Sequence, residues 1–109
     1  MVLTFKNFRG ALTTSGVTAY TCPAATTAIV LHLQVANVDG TNSADVTVRW
    51  TDDSNSDAVT RLANTVAVPA DTSLSVLTGK LVLEAGDTIV GVASADGDLE
   101  LSGSVLEMS

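Results

Sequence analysis

Positive charge is scarce in this sequence. Lys6, Arg9, Arg49, Arg61 and Lys80 stand against twelve acidic side chains, for a formal net charge of −7. Phosphate neutralisation needs clustered lysine and arginine, so the balance argues against nucleic acid as a partner. Cysteine is limited to Cys22, which excludes an intrachain disulfide and a cysteine-based zinc site. Followed by Pro23, it reads as a small buried hydrophobe rather than a reactive thiol. His32 is the only histidine, so no zinc site of ordinary composition can be assembled around it. The rings of Phe5, Phe8, Tyr20 and Trp50 are too few to wall the cleft in which paired carboxylates hydrolyse glycosides. No stretch of about 20 apolar residues occurs, and Met1 to Arg9 carries neither the apolar run nor the cleavage site of a signal peptide. The chain is therefore expected to be made in a cytoplasm and to insert in no membrane.

Charge of both signs is thin as well: 16% of residues are charged, against about 25% in typical soluble domains. Serine, threonine, alanine and valine fill the positions that lysine and glutamate usually take. Such a surface suits burial against other subunits better than life as a free monomer. The 109 residues are expected to form a single domain, which at this length buries about two thirds of its unfolded surface.

What the sequence does contain is period-two alternation. Ile29, Leu31, Leu33 and Val35 point one way, and Val30, His32, Gln34 and Ala36 the other, the spacing of a strand. A helix would scatter the first set around its axis, and its β-branched residues would crowd the turns. Asp39-Gly40-Thr41-Asn42 supplies turn chemistry, after which Ala44, Val46, Val48 and Trp50 alternate with Asp45, Thr47, Arg49 and Thr51. The pair reads as a β-hairpin with one apolar face, with Trp50 packed inside. Further strands are expected over 8–14, 17–21, 58–68, 74–77, 80–84, 88–95 and 99–107, punctuated by the glycines at 86 and 97. In the last, Leu99, Leu101, Gly103 and Val105 share one face while Leu106 and Met108 lie on the other, so a bulge near Gly103 or a terminus buried on both sides is expected. Eight or nine short strands without a helical window predict an all-β, antiparallel sandwich of jelly-roll type, with a closed barrel as the alternative.

The residues that carry chemistry are few. A Ser/His/Asp triad is formally possible around His32, but no serine sits in a Gly-x-Ser-x-Gly elbow. Asp52-Asp-Ser-Asn-Ser-Asp57 offers alternating oxygens for calcium. It lacks the central glycine and distal glutamate of an EF-hand loop and reads more readily as a polar hairpin connection. Phe5, Lys6, Phe8 and Arg9 interleave rings and cations. They are the interface candidates, either as part of an N-terminal arm over residues 1–9 that docks on a neighbouring subunit or within an ordinary first strand.

Tyr20-Thr-Cys-Pro-Ala-Ala-Thr-Thr-Ala-Ile-Val30, Leu33-Gln-Val-Ala-Asn-Val-Asp-Gly-Thr41, Val46-Thr-Val-Arg-Trp-Thr51 and Gly79-Lys-Leu-Val-Leu-Glu-Ala-Gly-Asp-Thr88 follow one another before a terminal Leu106-Glu107. This ordered series resembles a family of small β-sandwich virion proteins of tailed bacteriophages, over roughly Val17 to Ser109. Cys22 stands where that family is expected to carry a small residue. The resemblance implies a structural protein with no catalytic residues, no metal and no cofactor. It implies residence in the virion after synthesis in the bacterial cytoplasm. The favoured role is a head decoration or cement protein, acting as a homo-oligomer, preferentially a trimer, that bridges major capsid subunits or other virion subunits. A tail, baseplate or fibre-adaptor component is the alternative. A glycan-binding module is the reading from another class, and it requires His32, Gln34, Arg49 and Trp50 to form one exposed face.

Overall fold

The computed structural model describes residues 1–109 as nine β-strands and one 3-10 turn: β1 (Leu3–Ala11), β2 (Val17–Thr21), β3 (Thr27–Asn37), β4 (Ala44–Asp52), β5 (Ala58–Val68), β6 (Ser73–Ser75), β7 (Leu81–Leu83), β8 (Thr88–Ala93) and β9 (Leu99–Met108). They form two antiparallel sheets. One runs β1-β9-β3-β6, with β7 also paired to β3, and the other runs β2-β8-β4-β5. This is the all-β sandwich that the alternation predicts, and the barrel alternative falls away because the sheets stay separate. Leu12, Leu33, Leu83, Ile89, Leu99 and Leu101 fill the space between them with a set of fully buried valines.

Three expectations need correction. The strands at 28–37 and 44–52 do not form a hairpin, because β3 lies between β9 and β6/β7 while β4 lies between β8 and β5 in the opposite sheet. The segment joining them is a corner. Asn37, almost fully buried, donates from Nδ2 to the carbonyls of Asn42 (2.9 Å) and Val68 (2.8 Å), and its Oδ1 accepts from the Asp39 amide (2.9 Å). The Asp39 carboxylate accepts from the Thr41 and Asn42 amides at 2.7 and 3.1 Å. These donors, Thr41 first, hold its carboxyl below the ordinary value. Side-chain bonds have replaced the ladder that a hairpin turn would close.

The second correction concerns phase. Ala28 and Val30 are buried, then Leu33, Val35 and Asn37, with Leu31 and His32 exposed between them. The register of β3 against β9 shifts between Val30 and His32, the signature of a β-bulge that reverses which residues face inward. Ile29 and Leu31 therefore do not share the inward face of Leu33 and Val35. The irregularity expected near Gly103 lies on the partner strand: β1 and β9 pair without interruption from Leu3↔Met108 to Ala11↔Glu100.

The same pairing corrects the arm. Leu3–Ala11 is an edge strand hydrogen-bonded to β9, and Val2 extends the ladder by exchanging two backbone bonds with Ser109 (2.6 and 3.0 Å). Its alternation explains why it stays: Phe8 turns inward and is buried against Gly103, its partner in register.

Gly103 has no room for a side chain. A Cβ there would overlap the Phe8 ring and lie 2.6 Å from the His32 carbonyl oxygen. Gly103→Ala is expected to destabilise the fold by about 1–3 kcal/mol in urea titration. Adding Phe8→Leu relieves only the ring, so the double variant should remain less stable than Phe8→Leu alone. Asn37→Asp, which replaces a double donor by an acceptor facing two carbonyls, should cost about 3 kcal/mol at neutral pH and more than Asn37→Ala.

Candidate assembly surface

The four sequence candidates on β1 separate by face. Lys6 and Phe8 alternate inward; Phe5 and Arg9 point outward from the five-stranded sheet. Phe8 is spent on the core, its ring 5.2 Å from that of Tyr20. Lys6 Nζ lies 2.9 Å from Glu107 Oε1, and Tyr20 donates from across the sandwich to Glu107 Oε2 at 2.5 Å. Glu107 is thus a polar bolt at one end, joining β9 and β1 of one sheet to β2 of the other. The Tyr20 hydroxyl first, then Lys6, hold its carboxyl below the ordinary value. Burial, with the neighbouring Glu107, pushes the Tyr20 phenol up, well above the ordinary range.

Phe5 is left free, 74% exposed. It stands in register with Leu106 on β9, Leu106 with Ile29 on β3, and Ile29 with Val82 on β7. One apolar row therefore crosses four strands on the outer face of the five-stranded sheet. Leu3 and Met108 form the next rung, and Leu31, at the bulge, is also exposed. A sheet face that meets water usually alternates to polar residues, and an exposed contiguous apolar patch marks an interaction surface. Toward the other end the face turns polar: Arg9 stands by a shallow depression lined by Gln34, Ala36, Glu100 and Ser102.

The remaining candidates do not converge. His32 and Gln34 lie on the outer side of the five-stranded sheet, Arg49 on the outer side of the other sheet, and Trp50 packs against the core, so the glycan-binding face does not form. Oxygens of Asp52, Glu84 and Asp87 approach within 4.8 Å of one another. Asp87, however, accepts from the Asp53 amide with Oδ1 (2.9 Å) and from the Glu84 amide with Oδ2 (2.8 Å). Its carboxylate clasps two turns, and Asp52–Asp57 is the connection of the β4–β5 hairpin. Cys22 is buried, with Sγ 3.3 Å from the Thr26 carbonyl. Burial raises its thiol above the ordinary value, the opposite of a reactive cysteine.

Sequence reasoning missed Leu106, Ile29 and Val82 as surface residues. The signal was present for Leu106 and Met108, apolar on the side of β9 opposite Leu101 and Val105. For Ile29 the bulge hides it.

No protein-family profile matches the sequence, and no curated protein is found similar to it. Among solved structures, the chain is similar to one from the Bacillus endospore appendages, described as a novel family of disulfide-linked pili: 13% identity, TM-score 0.59, 99% of this chain and 87% of that chain covered. It is similar to a chain of the acid-stable capsid of Helicobacter pylori bacteriophage KHP30, at 12% identity and a TM-score of 0.60, over 98% of this chain and 87% of that one. Infectious bursal disease virus VP2, in its subviral particle, matches at 9% identity and a TM-score of 0.51, over 97% of this chain but 32% of VP2. At these identities the likeness is one of fold.

The Glu107 bolt makes a pH prediction. A carboxyl held below its unfolded value contributes stability that is present above the ordinary glutamate value of 4.5 and is lost as pH falls through the lowered folded value. Thermal melts from pH 7 downward should show this acid loss in the parent chain and a shallower acid limb in Glu107→Gln. Tyr20→Phe should cost about 1.5–3 kcal/mol at pH 7.

Proposed function

We propose that the chain is a non-enzymatic structural subunit of a tailed-bacteriophage virion, a decoration or cement protein that bridges major capsid subunits. The observation that carries this reading is the row Phe5–Leu106–Ile29–Val82 on the outer face of a sheet, in a chain with few charges to keep that face apart from a partner. Burying each such side chain contributes about 1.5–3 kcal/mol before the costs of association. Phe5 is the anchor at the edge and Arg9, toward the polar end of the same face, the polar contact. The likeness in fold to the KHP30 capsid chain supports the reading, as does the sequence resemblance to tailed-phage virion proteins. So does the chemistry: His32 is exposed and its side chain makes no hydrogen bond that would orient a nucleophile. The mechanism is mechanical. A subunit that spans two capsid proteins adds contact area that internal pressure must break, and many copies working as homo-oligomers, trimers on this reading, multiply it.

The fold is also shared with the appendage pili, and a filament subunit is the other structural role to weigh. Against a disulfide-linked filament stands Cys22, the one thiol in these 109 residues, buried between the sheets.

Phe5→Ser with Val82→Ser tests the proposal. Both residues are exposed, so the double variant should keep the parent's unfolding free energy to within about 0.5 kcal/mol per site. It should lose tenfold or more in binding to virus particles that lack the chain, measured by co-sedimentation. Undiminished binding overturns the role of this face. Localisation to the tail by electron cryo-microscopy of the particles overturns decoration in favour of a tail or baseplate role.

A further inference from the structure

Arg49 of β4 and Arg61 of β5 are direct cross-strand partners. Val48 and Trp50, which flank Arg49, turn into the sandwich, so both guanidinium groups project from the outer face of the four-stranded sheet. Thr18, Val90, Arg49 and Arg61 follow one another in register across all four of its strands. Like charges directly opposite on neighbouring strands repel. The chain has twelve carboxylates that could relieve this pair, yet its one ion pair is Lys6–Glu107, and no carboxylate lies within 4.0 Å of either arginine. Two of only five cations are held together, uncompensated, on a surface of threonine and valine.

The opposite arrangement occurs at the corner between the sheets. The Asp71 amide donates to the Asp39 carbonyl (3.2 Å), and the Val38 amide to the Asp98 carbonyl (2.8 Å). These bonds gather Asp39, Asp71 and Asp98 without a single paired cation. Asp39 spends its oxygens on Thr41 and Asn42 and also meets the Asp98 carboxyl. Asp71 and Asp98 accept no side-chain bond from a cation.

We infer that Arg49 and Arg61 form a fork for carboxylates of a second copy of this chain, namely the Asp71 and Asp98 corner. The inference rests on the reading of the chain as an assembly subunit and names the contact between its copies. Guanidinium groups meet carboxylates in a bidentate geometry that rewards a fixed pair of donors. The chain itself, at −7, is the acidic surface present wherever it is present in many copies. The two patches are different surfaces, so the contact is head-to-tail, and it closes into a ring where the rotation allows. The apolar row, on the far side of the sandwich, stays free for the capsid.

Sedimentation velocity on the purified full chain, without particles, tests this. The parent should associate with rising concentration, and association should weaken about tenfold or more as salt screens the pair. Arg49→Ser/Arg61→Ser should be monomeric under the same conditions, with a thermal midpoint no lower than the parent's because the repulsion is gone. Asp71→Ser/Asp98→Ser should be monomeric too. Each variant keeps the patch that the other lacks, so an equimolar mixture should form one-to-one dimers. A monomeric parent, undiminished association of the arginine variant, or a mixture that stays monomeric overturns the inference. A monomeric parent that still binds particles overturns it while leaving the virion role standing. An arginine variant that self-associates normally but loses particle binding assigns the fork to a different acidic partner.

Discussion

The bulge of β3 opposite the Gly103 region of β9 is the constraint from which the exposed apolar row follows. Phe8 from β1 lies over Gly103, and the His32 carbonyl comes so close that only glycine fits. Beside this contact β3 takes up one extra residue, Leu31, and reverses phase. Ala28 and Val30 then fill the core on one side of the bulge, and Leu33 and Val35 on the other. Ile29 is sent outward, where it completes the row from Phe5 to Val82. Without the reversal, Ile29 and Leu31 would join Leu33 and Val35 inside and the outer face would lose its centre.

The polar groups in the interior hold the layers together. Asn37, Asp87 and Glu107 are the buried polar residues, and each spans elements: Asn37 ties the end of β3 to the loop before β4 and to β5, Asp87 ties the turn before β8 to the end of β4, and Glu107 ties β9 to β1 and β2. No buried side-chain polar atom lacks a partner. This is the condition under which polar groups in a core specify one arrangement rather than weaken it. Of the carboxylates, Asp87 and Glu107 are therefore fasteners, and what remains for function is the two outer faces and the acidic corner.

Those faces were only partly legible in the sequence. Period-two spacing identified nearly every strand, because a half-buried strand must alternate, and β4 with Val46, Val48 and Trp50 kept the predicted phase. Pairing was not legible. Alternation says which side of a strand is apolar but not which strand lies beside it, and the Asp39–Asn42 turn chemistry serves an inter-sheet corner as well as a hairpin. Phe5, Lys6, Phe8 and Arg9 looked alike as a mixed run. Only the partners in register separate a core ring, a bolted lysine and two outward residues. The Arg49–Arg61 pairing depends on register shifts between β4 and β5 that no local pattern reveals.

The sandwich thus presents an apolar row on one side and an uncompensated cationic pair on the other, a layout suited to a subunit that meets two kinds of neighbour. The most direct measurement is residue-level solvent footprinting of the chain, free and in assembled particles. Labelling of Phe5, Leu106 and Val82 should fall sharply on assembly, while exposed residues of the β4–β5 turn such as Ser54 and Asn55 keep theirs. Equal labelling of the row in the free and assembled states would contradict the account, because the face would then be open to water in the particle it is held to build.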